Sequence, residues 1–73
     1  MERYRITTTG EDGVEQTWVL LPDEPSAAMQ AEELSTREKT LHVRVYREVV
    51  EPPAVASQEQ VRDFPPRKPR AGS

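Results

Sequence analysis

Arg3 and Arg5 in one short run, and His42, Arg44 and Tyr46 in another, are the residues of this chain whose types and spacing best suit them to chemistry. Alternate residues of an extended strand point to one face, so the five would together make a basic surface carrying an aromatic ring. Single-stranded nucleic acid lies on surfaces of that kind, with its phosphates on the cations and its bases on the rings. Arg67, Lys68 and Arg70 near the C-terminus would add phosphate contacts. A second arrangement competes with the first. Glu15 and Glu48 can pair with the same arginines across strands and keep the face neutral. The net charge of −3 and the single ring on that surface favour the paired arrangement, which makes nucleic-acid binding the alternative expectation and not the leading one.

Catalysis asks for more than the chain offers. With no cysteine and one histidine, thiolate chemistry is absent and metal binding has little to work with. A grouping of Ser, His and Asp needs nucleophile, base and orienting group to converge where water is excluded. A chain of 73 residues encloses little volume for such a pocket. The acid pairs Glu11-Asp12 and Glu32-Glu33 lack apolar surroundings that would shift a pKa. Gly10 and Gly13 lead into a strand and not into a helix N-terminus, so they make no phosphate loop. The expectation is a non-enzyme with no catalytic residue, cofactor or metal.

The elements that position these residues follow from periodicity. Arg3 to Thr9 alternates with period two, as a half-buried strand does. Gly10-Glu11-Asp12-Gly13 is turn chemistry between two β-rich runs and predicts a hairpin. A second strand spans about Val14 to Leu21 and ends at Pro22. Asp23, Glu24 and Pro25 then supply a cap, a charge favourable to the helix dipole and a preset φ. The helix should run from Pro25 to Arg37 or Glu38, with Ala27, Ala31 and Leu34 as its buried stripe. Leu41, Val43 and Val45 alternate with His42, Arg44 and Tyr46 in a third strand that continues through Val49 and Val50 and stops before Pro52-Pro53. The predicted fold is α+β, a small ββαβ domain over residues 1–51 with a mainly antiparallel three-stranded sheet in the order 2-1-3 and one helix on one face. Tyr4, Ile6, Trp18, Leu20, Leu41, Val43 and Val45 are assigned to the helix side. Val19 and Leu21 then fall on the open face with Arg3, Arg5, Thr7, Glu15, Thr17, His42, Arg44 and Tyr46.

From Pro52 the composition turns to proline and small polar residues, which predicts a disordered Pro- and Arg-rich tail over 52–73 with at most a short helical turn at 58–64. A core this small gains from association. The expected function is therefore a non-catalytic interaction or accessory module. It would bind a protein partner, or a second copy of itself as a homodimer, through the open face or the third strand, with Val19, Leu21, Tyr46, Val49, Val50 and Phe64 as contacts. No run is apolar enough to cross a membrane, no membrane contact is expected, and the N-terminal residues do not read as a secretory signal, which predicts a cytoplasmic protein. Arginine-rich, asparagine-free usage is what a GC-rich bacterial or phage genome would encode.

Overall fold

The computed structural model describes residues 1–67. Along the chain run β1 (Glu2–Thr9), β2 (Glu15–Leu21), α1 (Glu24–Arg37), β3 (His42–Glu51) and β4 (Ala54–Phe64). The four strands form one sheet in the order β2-β1-β3-β4 with every neighbouring pair antiparallel. The expected order 2-1-3 is present, extended by a strand on the far side of β3.

Local chemistry explains the first turn and the helix. The β1–β2 loop closes with the Gly13 amide donating to the Gly10 carbonyl at 3.1 Å, and Asp12 accepts from the Val14 amide. Gly13 takes φ +77°, a conformation that a side chain would strain. At the helix, Asp23 is the N-cap: its carboxylate accepts from the Ser26 amide at 2.9 Å, one of the donors a helix start leaves unpaired. That amide holds the Asp23 carboxyl below its usual range. Ala27, Ala31 and Leu34 face the sheet and are buried, as the stripe predicts. Alanine on that face lets the helix approach closely, so the sheet supplies most of the apolar volume. Tyr4, Ile6, Val43 and Val45 complete the buried cluster, with Val19, Leu21, Leu41, Val61 and Phe64 packed around it.

The face assignment of β2 differs from the expectation. Ile6 pairs with Val19 but Thr7 pairs with Thr17, so Trp18 is an extra residue in a β-bulge. Alternation counted from Glu15 and Thr17 is reset at that point. Val19 and Leu21 turn to the helix side, whereas Leu20, opposite Arg5, turns to the open face. Trp18 itself, the inserted residue, has no partner on β1 and lies outside the buried cluster. Trp18 and Leu20 are 47% and 43% exposed.

The segment after Pro52 also differs. Residues 54–64 are a strand and not a disordered tail or a helical turn. After a Pro52-Pro53 turn, whose peptide bond is cis, the chain reverses and pairs with β3 from Val50↔Val55 to Val43↔Phe64. As a result β3 lies inside the sheet, and its backbone is engaged on both sides. Strands of this length reach about 35 Å against about 21 Å for α1. None of Val49–Ser57 belongs to the buried cluster. The β3–β4 hairpin is therefore an arm projecting past the helix, and the described chain measures 51 × 25 × 15 Å.

The chain beyond β4 returns to the helix. Arg67 donates its amide to the Lys39 carbonyl at 2.7 Å and its guanidinium to the Ser35 carbonyl at 2.8 Å. Carbonyls at a helix C-terminus lack intrahelical partners and carry partial negative charge, so a cation there is favourable. No described helix is long and apolar enough to cross a membrane.

Candidate functional site

The face of the sheet away from α1 is where the chemically distinctive residues collect, and Glu48 is at its centre. β3 places Glu48 opposite Arg3 of β1 on one side and Gln58 of β4 on the other. Arg3 Nε donates to Oε1 at 2.7 Å. Arg5 Nε donates to Oε2 at 2.7 Å and its Nη2 to Oε1 at 3.2 Å, and Gln58 Nε2 donates to Oε2 at 2.7 Å. Each carboxylate oxygen thus receives two hydrogen bonds, which fills its acceptor capacity. Glu48 is only 1% exposed although it lies on the open face, because the side chains of three strands close over it. Donation from Arg5 holds its carboxyl down at about 2, against the opposing effect of burial, with Arg3 and Gln58 acting in the same direction as Arg5. A carboxylate so acidic and so fully occupied is a poor general base and has no lone pair free for a metal.

Glu15 organises the next group toward the hairpin loop. Thr7 Oγ donates to it at 2.6 Å, the Tyr46 hydroxyl at 2.9 Å and Arg44 Nη1 at 3.4 Å. The Thr7 hydroxyl is the main reason the Glu15 carboxyl lies below its usual range. Burial, then the Glu15 acceptor, pushes the Tyr46 phenol up. Arg44 also reaches Thr9, at 3.2 Å, and donates to His42 Nδ1 at 3.2 Å. Since Nδ1 accepts, Nε2 carries the ring hydrogen and donates to Asp63 of β4. Both His42 nitrogens are engaged, and no Ser or Thr hydroxyl among the described residues bonds to the ring.

Arg3 and Arg5 thereby share Glu48, Arg44 meets Glu15 and Asp63 meets His42, so each of these arginines has a carboxylate partner on the face. Their side chains are about a quarter exposed. Of the other expected nucleic-acid contacts, Arg67 is bonded to the end of α1, and Lys68 and Arg70 lie outside the described residues.

The expected protein contacts are dispersed. Val19, Leu21 and Phe64 pack against the core. Tyr46 is half-buried at the centre of the face. Val49 and Val50 belong to the projecting arm, where Val50 is bracketed by backbone bonds to Met1. Trp18 and Leu20, expected on the helix side, are instead exposed at the β2 margin, two residues apart in the outermost strand. The large hydrophobics exposed among the described residues are Met1, Val14, Trp18, Leu20, Met29 and Val55. Half of them fall within Val14–Leu20, so the exposed apolar surface concentrates at the β2 margin.

A shallow groove of about 340 Å³ lies on the other side of the molecule, between the C-terminal turn of α1 and the end of β4. Ser35, Thr36, Phe64, Pro65 and Pro66 line it, with Glu32, Asp63 and Arg67 around them. His42, Tyr46 and Glu48 are not part of it. Among the described residues no group of His, Cys, Asp and Glu is arranged to hold a metal ion. No family model matches this chain, nor does any curated protein or solved structure.

Proposed function

We propose that this protein is a non-catalytic interaction module that recognises a protein partner through the β2 margin of its open sheet face, with Trp18 and Leu20 as anchoring side chains. The observation that carries the reading is the concentration of exposed apolar residues at Val14, Trp18 and Leu20. Tryptophan dominates binding energy at protein interfaces when a partner excludes water from it, and a bulge re-aims side chains at the rim of a sheet. The polar network beside this margin is fully paired and offers a rigid, preorganised floor. A single-strand nucleic-acid reading draws no support from arginines that each have a carboxylate partner. A reading based on pairing through the third strand draws none from a strand that is already flanked on both sides.

Replacing both Trp18 and Leu20 with Ser tests the proposal. Partner capture should fall at least about tenfold, the effect of losing one interface anchor or more. Because both side chains are about half exposed, the folded domain should lose far less stability than a core substitution costs. Equal capture by wild type and the double variant, with both folded, would remove the basis for this reading.

A further inference from the structure

The β2 margin has an open backbone edge as well as its two side-chain anchors. β2 ends the sheet, and among the described residues no backbone hydrogen bond reaches it from its outer side. Such an edge accepts a further strand by main-chain pairing, with alternate side chains setting the specificity.

Charge narrows what can join. The segment from Gly10 to Glu24 carries Glu11, Asp12, Glu15, Asp23 and Glu24 and has no Lys or Arg. Some of this charge is met internally: Arg44 lies 3.4 Å from Glu15 and Arg62 lies 3.8 Å from Glu24. Glu11, Asp12 and Asp23 have no ion-pair partner among the described residues. The edge is thus framed by acids at both ends, in the hairpin loop and at the start of α1.

A second copy of the chain is a poor occupant. Two β2 edges pairing antiparallel would set Glu11 and Asp12 of one copy against Asp23 and Glu24 of the other at both ends of the ladder. Like charges opposed across strands destabilise the pairing. The opposite edge, β4, is a poorer template for any strand. It is bulged at two places where β2 is bulged at one, and its Glu59 and Arg62 are tied to Arg47 and Glu24.

We infer that β2 accepts an extended cationic segment of a different protein as a fifth strand, whose apolar side chains meet Trp18 and Leu20 and whose Lys or Arg residues meet the acids at either end. This rests on the interaction-module reading and adds the partner's chemistry and the geometry of its docking.

The test is a titration of the full, nitrogen-15-labelled chain with a peptide of about nine residues that has a Val-Thr-Val-Thr-Val centre and Lys-Lys at each end. A second peptide with Glu in place of every Lys serves as the comparison. The expected result is saturable amide shifts and new exchange protection centred on Glu15–Leu21 with the Lys peptide alone. Affinity should fall at least about tenfold between about 50 and 500 mM salt, as screening of the framing acids requires. Equal binding of the Glu peptide, shifts centred on Ala54–Phe64, or no shift with either peptide would overturn the inference. The two levels separate cleanly. If the Glu peptide alone shifts Trp18 and Leu20, docking at this margin stands and the cationic requirement falls. If the Trp18→Ser, Leu20→Ser protein binds the Lys peptide undiminished at β2, the anchoring role falls and the cationic edge stands.

Discussion

Substituting Glu48 with Ala should lower the melting temperature by roughly 10–20 °C, measured by far-ultraviolet circular dichroism. The change removes a carboxylate that accepts from Arg3, Arg5 and Gln58 and so ties β1 and β4 to β3. Breaking a fully buried ion pair costs about 3–5 kcal/mol. Here the arginines are about a quarter exposed and can be rehydrated, which brings the expected loss to about 2–3 kcal/mol. For a domain of this size each kcal/mol moves the midpoint by about 4–8 °C. Glu48→Gln, which retains shape and one acceptor but no charge, should lie between the two. The pH dependence has a definite sign. The folded-state pKa is depressed from an ordinary 4.5 to about 2, so the stabilisation is complete above the ordinary carboxylate range and is lost as pH falls toward the folded value. The advantage of wild type over Glu48→Gln should therefore be constant near neutrality and shrink between about pH 5 and pH 2. An advantage that persists unchanged at pH 2 would show that the charge of Glu48 is not what stabilises the fold.

Ending the chain after Glu51 should abolish cooperative unfolding altogether. The truncation removes β4, and with it the outer partner of β3, the Gln58 donor to Glu48, the Arg62 contact with α1, and Val61 and Phe64 from the edge of the core. Half-burial of those two side chains contributes about 1–1.5 kcal/mol each. A single core in a domain this small rarely supplies more than about 3–5 kcal/mol, so the loss is comparable with the whole. The matching chain ended after Arg67 retains every described contact and should melt as a single transition. If the shorter chain also gave a sharp sigmoidal melt, β4 would be an accessory to the fold and not a member of it.

These two experiments bear on what the sequence could reveal. β1 and the first part of β3 were readable because each has one buried and one solvated face, which imposes period two on Tyr4, Ile6, Val43 and Val45. The helix was readable from its Asp23 cap and its stripe of Ala27, Ala31 and Leu34. β2 is legible as a strand but its faces are not, since one inserted residue inverts every orientation after it and nothing in Thr17-Trp18-Val19 marks the insertion. The inversion carries Leu20 off the helix side, where strict alternation would place it, and leaves the inserted Trp18 exposed. β4 is illegible for a different reason. At the sheet edge, and with much of its length beyond the helix, Ala54–Gln60 is exposed on both sides. Such a strand carries no alternating pattern, and neighbouring prolines give it the composition of a linker. Glu48 was legible as a partner for arginine but not as a buried group. Its burial depends on side chains from β1 and β4 converging on β3, a property of register that a linear reading cannot supply.

Trp18 is the sole tryptophan, and its place in the bulge has a spectroscopic consequence. An indole 47% exposed in the native state gains less hydration on unfolding than a buried one would. Its emission maximum should therefore start at longer wavelength than a buried indole's and shift less far to the red during denaturation. Docking of a partner would dehydrate the ring and shift the emission to the blue. If a partner seats on Trp18 as proposed, one ring will report docking by a blue shift and unfolding by a red one.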